Sequence, residues 1–314
     1  MGVVTVGSNP AIDRVIHCEH FVPGGHLPSR TVARLAAGKA ANVSRAMAMC
    51  GAPSVASGFI GAAETVWFRN NLTRGLDITC EFIEVAGATR ENITILDPAT
   101  GQETHLRDGG FAVTPEDQQR LRSWLAVHVG AGAVCVFAGS LPAGSPGVSP
   151  QDFLALLSSC PGDARLVVDS SGPALAAAVT RPLWLIKPNT AELATLLQRD
   201  LAAQPAAVVA AVRSAALPVE YVLVSLGAQG AVLAGRSVAI HAVARPRRPV
   251  VRTVGCGDHL LGGFLAGMQR HGGVAMALRE GVALATARAV SGDYVGIAAE
   301  IISEVAATTE LVEL

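Results

Sequence analysis

Residues 253–264 read Thr-Val-Gly-Cys-Gly-Asp-His-Leu-Leu-Gly-Gly-Phe, a glycine-rich loop that leads into an apolar pattern at helical spacing. The preceding residues, 244–252, form a β-like segment broken by proline. Gly255 and Gly257 allow the backbone to come close to a ligand. Because the unpaired amides and the dipole of a helix start favour an anion, we predict a phosphate site here.

Asp258 is the unusual residue of this segment, because a carboxylate beside an anion site repels a phosphate. It becomes useful if it takes a proton from a hydroxyl group that attacks the phosphate. The alternative is an ordinary acidic residue in the first turn of a helix. From this segment alone both interpretations stand.

The composition excludes several classes of protein. The chain has 314 residues, 50% of them hydrophobic, and a net charge of −1, which gives no indication of nucleic acid or an anionic membrane as a partner. The six cysteines form no C-x-x-C pair, which favours free thiols in a reducing cytoplasm. No signal peptide or bilayer-spanning run is evident, and no G-x-G-x-x-G dinucleotide motif follows the first strand.

Lysine is rare, since only two of the 24 lysine and arginine residues, Lys39 and Lys187, are lysines. Lys39 lies in a small-residue loop that opens a helix ending near Gly51, a second anion-facing helix start. A lysine there opposes the helix dipole, so a surface role is disfavoured. The loop is not a Walker P-loop, because no Ser or Thr follows the lysine.

Strands and helices alternate from residue 115 to residue 225, and the strands are continuously apolar. This alternation predicts a parallel sheet covered by helices on both faces. Ligands are then expected at the carboxyl ends of the strands. Four loops lie there: 139–142 with Ser140, 169–171, 187–192 and 225–230. Glu192 also has the spacing of a capping box with Asn189, which is the structural alternative for that residue.

Short β-like segments predict a second, smaller sheet, made from residues 14–34 and from 80–85, 92–96 and 103–107. Asp13 follows the first strand, where turn capping is the alternative to ligand binding. Arg90 lies between two of the segments, and a solvated surface arginine is its alternative interpretation.

Seven motifs occur together and in order, and the set is similar to the PfkB (ribokinase-like) carbohydrate kinases. It most closely resembles the branch that holds 1-phosphofructokinase and tagatose-6-phosphate kinase. The motifs are Asn9-Pro10-Ala11-Ile12-Asp13, Ala37-Gly38-Lys39 with Asn42, Thr89-Arg90 with Asn92, Gly139-Ser140-Leu141-Pro142, Lys187-Pro188-Asn189 with Glu192, Ser225-Leu226-Gly227, and Thr253-Val254-Gly255-Cys256-Gly257-Asp258.

The resemblance implies one kinase domain over residues 1–314, an α/β fold with a ribokinase-like Rossmann-type central sheet, helices on both faces and a β-sheet lid from about 14–34 and 80–110. It implies transfer of a phosphoryl group from ATP, with Mg²⁺, to a hydroxyl of a sugar or sugar phosphate. Asp258 would be the general base, and the amides of Gly255, Cys256 and Gly257 would bind developing negative charge.

The remaining roles are also carried over from the resemblance. Sugar and sugar-phosphate groups would contact Asp13, Gly38, Lys39, Asn42, Arg90 and Ser140. The nucleotide would contact Lys187, Asn189, Ser225, Gly227, Gly230 and Thr253, while Glu192 would hold Mg²⁺, through water. A homodimer formed through the lid is a further expectation, because an open lid exposes an apolar sheet face.

Several residues depart from the family pattern. Ala40 replaces a glycine, and alanine would be strained if that position needs a positive φ. Cys256 replaces alanine, and His259 replaces a small residue beside Asp258. The segments Gly109-Gly110 and Ser145-Pro146-Gly147 alter loops near the expected substrate side. The alternatives are therefore a kinase for an unphosphorylated sugar or nucleoside, and a non-catalytic protein that senses a sugar or nucleotide.

Overall fold

The computed structural model describes residues 2–146 and 148–314, and these form two β-sheets and a set of helices. The strands are β1 (Val3–Gly7), β2 (Ala11–His17), β3 (Arg30–Ala37), β4 (Ser54–Gly61), β5 (Ile78–Val85), β6 (Glu91–Leu96), β7 (Glu103–Arg107), β8 (Val134–Ala138), β9 (Arg165–Asp169), β10 (Leu183–Ile186), β11 (Val219–Ser225), β12 (Ala231–Gly235), β13 (Ala239–Ala244) and β14 (Thr309–Glu313). The helices are α1 (Lys39–Met49), α2 (Thr65–Leu72), α3 (Pro115–His128), α4 (Pro150–Leu157), α5 (Gly172–Ala178), α6 (Thr190–Leu197), α7 (Pro205–Ala215), α8 (Cys256–His271), α9 (Val274–Val290) and α10 (Ala299–Ala307).

The large sheet has the strand order β14-β13-β12-β11-β10-β9-β8-β1-β4-β5. Strands from β11 to β5 pair in parallel, and β12, β13 and β14 add an antiparallel edge. Helices α3 to α7 pack on one face, and α1, α8, α9 and α10 pack on the other. The predicted α/β architecture with a helix-covered sheet is confirmed. Because the parallel strands point the same way, the loops after β1, β8, β9, β10 and β11 meet at one edge.

The small sheet has the order β3-β2-β6-β7 and is the predicted lid. Its strands come from residues 11–37 and 91–107, so the lid begins earlier than expected. Asp13 consequently lies inside β2, opposite Asn92 of β6, and not in a turn.

Two local predictions are wrong. The segment at 80–85 belongs to β5, which pairs in parallel with β4 at the edge of the large sheet and not with the lid. Phe82 of β5 packs edge-on against Phe68 of α2, with 5.5 Å between ring centroids, and this contact fixes the strand to the core. The β-like segment 244–252 contains strand only at Ala244, because β13 ends there.

No helix among the described residues is long and apolar enough to cross a bilayer.

Close packing of α8 on α1 depends on Gly262. A Cβ atom added at Gly262 would lie 2.5 Å from Ala46 Cβ and 2.8 Å from the Val43 carbonyl oxygen. We expect Gly262→Val to lower the free energy of unfolding by about 1–3 kcal/mol or more, since overpacking forces helices apart. Activity should fall as well, because Asn42 of α1 bonds Asp258 of α8.

Urea denaturation measures this effect. Gly273→Ala is the matched control, because an added Cβ there meets nothing within 4 Å. Equal stabilities for Gly262→Val and the control would show that the contact between α1 and α8 is not tight.

Candidate active site

Asp258 lies in the first turn of α8, at the edge of the sheet where the loops converge. Gly255 is the N-cap and has a φ of 81°, a left-handed conformation that favours glycine. The Asp258 carboxylate is 7% exposed. Its Oδ2 accepts a hydrogen bond of 2.8 Å from Nδ2 of Asn42. The structure thus brings together three residues that the sequence assigned to one site.

The pKa of Asp258 is raised above that of an ordinary aspartate, which suits a proton acceptor. Burial, followed by the negative charge of Asp169, raises the pKa of Asp258 to about 6, against the hydrogen bond from Asn42 and the charges of Lys187 and Lys39. A carboxylate with a pKa near neutrality can accept a proton from a hydroxyl group at physiological pH.

Arg45 orients Asn42. This arginine is 6% exposed, and its Nη1 donates to Asn42 Oδ1 at 2.9 Å while its Nη2 donates to the Ala36 carbonyl at 2.6 Å. With Oδ1 engaged, the amide nitrogen of Asn42 faces Asp258. Sequence reasoning missed Arg45, although its place one turn after Asn42 in an apolar helix was the available signal.

The two lysines converge on Asp169, at the end of β9. Lys39 Nζ lies 2.9 Å from Asp169 Oδ1, and Lys187 Nζ lies 3.2 Å from Asp169 Oδ2. Asp169 is fully buried and the Lys187 side chain is 5% exposed, whereas the Lys39 side chain is 35% exposed. Burial opposes the charge of Lys39, but the pairing with Asp169 raises its pKa.

Lys187 also reaches the glycine-rich loop, since a Cβ added at Gly257 would lie 3.2 Å from its Nζ. The backbone amides of the first turn of α8 therefore lie close to both the Lys187 ammonium group and the Asp258 carboxylate. Asp169 had no assigned role in the sequence, although its loop was noted at the end of a predicted strand.

Three of the residues assigned to the sugar phosphate, Gly38, Arg90 and Ser140, contact the turn at Asn9-Pro10. Arg90 donates to the carbonyls of both turn residues, at 3.1 Å to Asn9 and 3.2 Å to Pro10, and Asn9 donates to Ser140 Oγ at 3.2 Å. Gly38, with a φ of 101°, packs on Pro10 and begins α1 at Lys39. Arg90 is therefore a fixed, half-buried cation and not a solvated surface residue.

On the lid side, Asp13 Oδ1 accepts a hydrogen bond of 2.8 Å from Asn92 Nδ2.

A pocket of about 360 Å³ lies on the other side of the glycine-rich loop. Its lining is mostly apolar, and it includes Ser225, Gly227, Gly230, Thr253, Cys256 and Gly257. The size and the mostly apolar lining are those of a small-molecule site, and the pocket contains most of the residues assigned to the nucleotide. Gly230 has a structural duty as well, because an added Cβ would lie 2.0 Å from the Ala242 carbonyl oxygen.

Asn189 and Glu192 form a complete capping box at the start of α6. Glu192 Oε2 accepts from the Asn189 amide at 2.9 Å, and Asn189 Oδ1 accepts from the Glu192 amide at 2.8 Å. The capping box, which was the structural alternative to Mg²⁺ binding by Glu192, is thus present. Within residues 2–146 and 148–314, no cluster of three or more acidic, His or Cys side chains could hold a metal by itself.

Mg²⁺ commonly takes only one or two carboxylates and completes its shell with water and phosphate oxygens. The capping box engages one oxygen of Glu192, so the donor set fits a Mg²⁺ ion held through water.

The structure shows the backbone at Ala40 and the surroundings of Cys256. Ala40 is a buried residue of the α1 helix, and the positive φ of this loop is at Gly38. Burial raises the pKa of the Cys256 thiol, so it is not an activated thiolate.

The two loops that depart from the family pattern, at Gly109-Gly110 and at Ser145-Pro146-Gly147, each contain one residue with a defined contact. Gly110 has a φ of 75° and lies against Arg90. Ser145 Oγ accepts from the Val113 amide at 3.1 Å, while Gly147 lies outside the described residues.

A buried aspartate with a raised pKa lies at a glycine-rich helix start, beside two lysines and an apolar pocket, and this combination is typical of a phosphotransferase. The chain belongs to the pfkB family of carbohydrate kinases, whose family model matches residues 3–293. It is accordingly a kinase that transfers a phosphoryl group to an alcohol of a carbohydrate, and ATP is the donor that the family implies.

The relatives are consistent with this class. The chain is 35% identical to 1-phosphofructokinase of Escherichia coli strain K12 over 304 residues, which cover 94% of the chain and 93% of the relative. It is 31% identical to 1-phosphofructokinase of Bacillus subtilis strain 168 over 291 residues, 92% of the chain and 93% of the relative. Its fold matches Escherichia coli phosphofructokinase-2 in complex with fructose-6-phosphate, with a TM-score of 0.85, 26% identity and 98% of each chain covered.

Proposed function

We propose that the protein is an ATP-dependent kinase for a hydroxyl of a sugar phosphate, with a 1-phosphofructokinase-like or tagatose-6-phosphate kinase-like specificity. The observation that carries this proposal is a pair of cations, Lys39 and Arg90, near the residues that we assign to the sugar, Asp13 and Asn42. Lys39 shares the single carboxylate of Asp169 with Lys187, so the two lysines carry one positive charge more than that carboxylate neutralises. Arg90 donates to two neutral backbone carbonyl groups. A neutral sugar or nucleoside offers nothing for two cations to neutralise. A phosphate at the far end of the substrate does.

Asp258 takes the proton of the acceptor hydroxyl as that oxygen attacks the γ-phosphate. Asn42, held by Arg45, keeps the carboxylate oriented. The amides of Gly255, Cys256 and Gly257 and the ammonium group of Lys187 stabilise the negative charge that develops on the phosphoryl group. Glu192 would hold Mg²⁺ through water, and the bound ion would neutralise charge at the nucleotide phosphates.

The lid strands β2 and β6 carry Asp13 and Asn92, which are hydrogen-bonded to each other. In the proposed complex these two residues would lie over the sugar. Closure of this sheet excludes water, and so prevents hydrolysis in place of transfer.

The acid side of the pH–activity profile should report Asp258. Only its carboxylate accepts a proton, so we expect kcat to fall about tenfold per pH unit below about pH 6, where the carboxyl is protonated. Initial rates at saturating substrate between pH 4.5 and 8 measure this. A flat profile down to pH 5 would contradict the assignment.

Asp169→Asn should move that acid limb to lower pH. Asp169 is the second cause, after burial, of the raised pKa of Asp258, so its removal lowers this pKa. The substrates also titrate near pH 6, but the same substrates with both proteins cancel their contribution. If activity falls at the same pH as in the wild type, or at a higher pH, the electrostatic coupling between the two carboxylates is overturned.

The substrate is tested by coupled ADP release on fructose 1-phosphate, fructose 6-phosphate, tagatose 6-phosphate, fructose, ribose and adenosine. We expect turnover on a phosphosugar and little on the neutral compounds. Arg90→Met should raise KM for the phosphosugar and leave that for ATP unchanged. Turnover only on a neutral sugar or nucleoside would exclude the proposal, and binding without turnover would favour a sensing protein.

We also propose that copies of the chain associate through the lid. The outer strand β7 is mostly exposed and carries Leu106, which is 50% exposed. Gel filtration with only monomer at micromolar concentration would exclude association.

We also propose that the protein is cytoplasmic, because its six cysteines are free thiols, as expected in a reducing compartment.

A further inference from the structure

A small pocket of about 50 Å³ lies where α1, the α8 start and the 288–295 segment meet. It reaches Asn42, which is hydrogen-bonded to Asp258. Asp13 and Asn42 line it, as do Arg45, His259 and Arg288. Since Asp13 and Asn42 belong to the proposed sugar site, the pocket is continuous with that site.

His259 presents an unused hydrogen-bond acceptor in this region. Its Nδ1 lies 2.8 Å from the Gly255 carbonyl oxygen, an acceptor, so Nδ1 must carry the proton and Nε2 must have a lone pair. His259 is 4% exposed, and Nε2 has no hydrogen-bond partner among the described residues. Leaving such a buried acceptor unpaired costs about 1–3 kcal/mol.

The imidazole stays neutral at physiological pH. Burial is the main cause that lowers the pKa of His259 to about 4, and the charges of Arg288 and Arg45 act in the same direction. A neutral imidazole with an open lone pair does not bind a fully ionised phosphate, because such an anion has no proton to donate. It suits a group that donates.

A hydroxyl group fits these surroundings better than any other group of a sugar phosphate. It can donate to Nε2 of His259 and accept from an arginine of the same pocket, whereas a phosphate oxygen can only accept. The guanidinium groups of Arg45 and Arg288 line the pocket. Their terminal nitrogens already donate to Asn42 and to backbone carbonyls, but each terminal nitrogen carries a second N–H that can donate.

We propose that His259 is a specificity-determining residue whose Nε2 accepts a hydrogen bond from one hydroxyl group of the sugar. This inference rests on the proposed function and names a recognition contact within its site. Asp258 is adjacent in sequence, so the recognised hydroxyl and the reacting hydroxyl belong to neighbouring parts of one substrate.

The test compares the accepted phosphosugar with its monodeoxy analogues on the wild type and on His259→Asn and His259→Gln. Asparagine can still donate to the Gly255 carbonyl in place of Nδ1 but lacks an acceptor at Nε2. Glutamine can place an amide oxygen near the Nε2 position. The readout is the ratio of kcat/KM between the parent sugar and each analogue.

In the wild type, we expect removal of one particular hydroxyl to lower kcat/KM by about 10- to 100-fold. In His259→Asn this ratio should collapse towards 1, while the ratios for the other deoxy positions persist. His259→Gln should restore part of the lost discrimination. A merely structural histidine would lower all rates together and leave every ratio unchanged, and that result would overturn the proposal.

Failure of the proposed function gives a different result. If the wild type phosphorylates no phosphosugar, the same pairs of sugar and deoxy sugar are compared by calorimetric Kd values. Equal ratios of Kd in wild type and His259→Asn would then overturn the recognition contact separately, and would leave a buried water as the partner of Nε2.

Discussion

Asp258→Asn is expected to lower kcat by about 10³-fold or more with little change in the Kd of either substrate, because general-base catalysis contributes about 10²–10⁴. Asparagine has nearly the shape of aspartate, and its oxygen can still accept the hydrogen bond from Asn42 Nδ2. What it cannot do is take a proton from the attacking hydroxyl.

The same substitution should stabilise the fold, which separates lost chemistry from lost structure. The folded-state pKa of Asp258, about 6, lies above its ordinary value of 3.8, so the unfolded chain ionises first as pH rises. Ionised Asp258 therefore costs the fold about 3 kcal/mol above pH 6, and nothing below pH 3.8.

The neutral Asn variant avoids this cost. Its Tm at pH 7 should exceed that of the wild type, and the difference should shrink towards pH 4. A variant that retains a tenth or more of the wild-type kcat would contradict the role of Asp258.

Lys187→Met should lower kcat by about 10²–10³-fold, the usual effect of removing one donor that stabilises transition-state charge. It should also lower the free energy of unfolding by about 3–5 kcal/mol, because it breaks a buried ion pair and leaves the buried Asp169 carboxylate paired with the partly exposed Lys39.

The chain offers matched controls for these two effects. Lys39→Met removes the other lysine from the same carboxylate, but its side chain is 35% exposed, so the loss of stability should be smaller. Its main kinetic effect should be a raised KM for the phosphosugar. The double variant Lys187→Met/Asp169→Asn removes the buried charge as well, and should recover stability without recovering kcat.

Urea denaturation measures the effect on stability, and steady-state kinetics measure the effect on kcat. Both are applied to the wild type, the two single lysine variants and the double variant. Recovery of kcat in the double variant would show that Lys187 acts only through stability. An unchanged kcat in Lys187→Met would remove it from the phosphoryl-transfer site.

Local patterns were sufficient to predict the helix-covered sheet and the presence of a second, smaller sheet, but not which segments form the smaller sheet. Asp258 and Lys39 stand at helix starts, and a helix start can be read from a few neighbouring residues. The scarcity of lysine drew attention to Lys187 before any geometry was known.

Long-range contacts could not be predicted in this way. Asp169 becomes important only because folding places it against Lys39, 130 positions away. Arg45 looked like an ordinary helix residue, since its hydrogen bonds to Asn42 and Ala36 depend on how β3 and α1 meet. The strand β5 alternates exposed and half-buried residues, as a lid hairpin does, and only its pairing with β4 assigns it to the large sheet.

The most direct test of the central claim is ³¹P NMR of the protein with ATP, Mg²⁺ and fructose 1-phosphate or tagatose 6-phosphate. We expect a new sugar phosphate ester to form in equal amount to ADP with the wild type, and neither product with Asp258→Asn. ADP with inorganic phosphate and no new ester, or equal product formation by Asp258→Asn, would contradict the assignment of a sugar-phosphate kinase with Asp258 as its base.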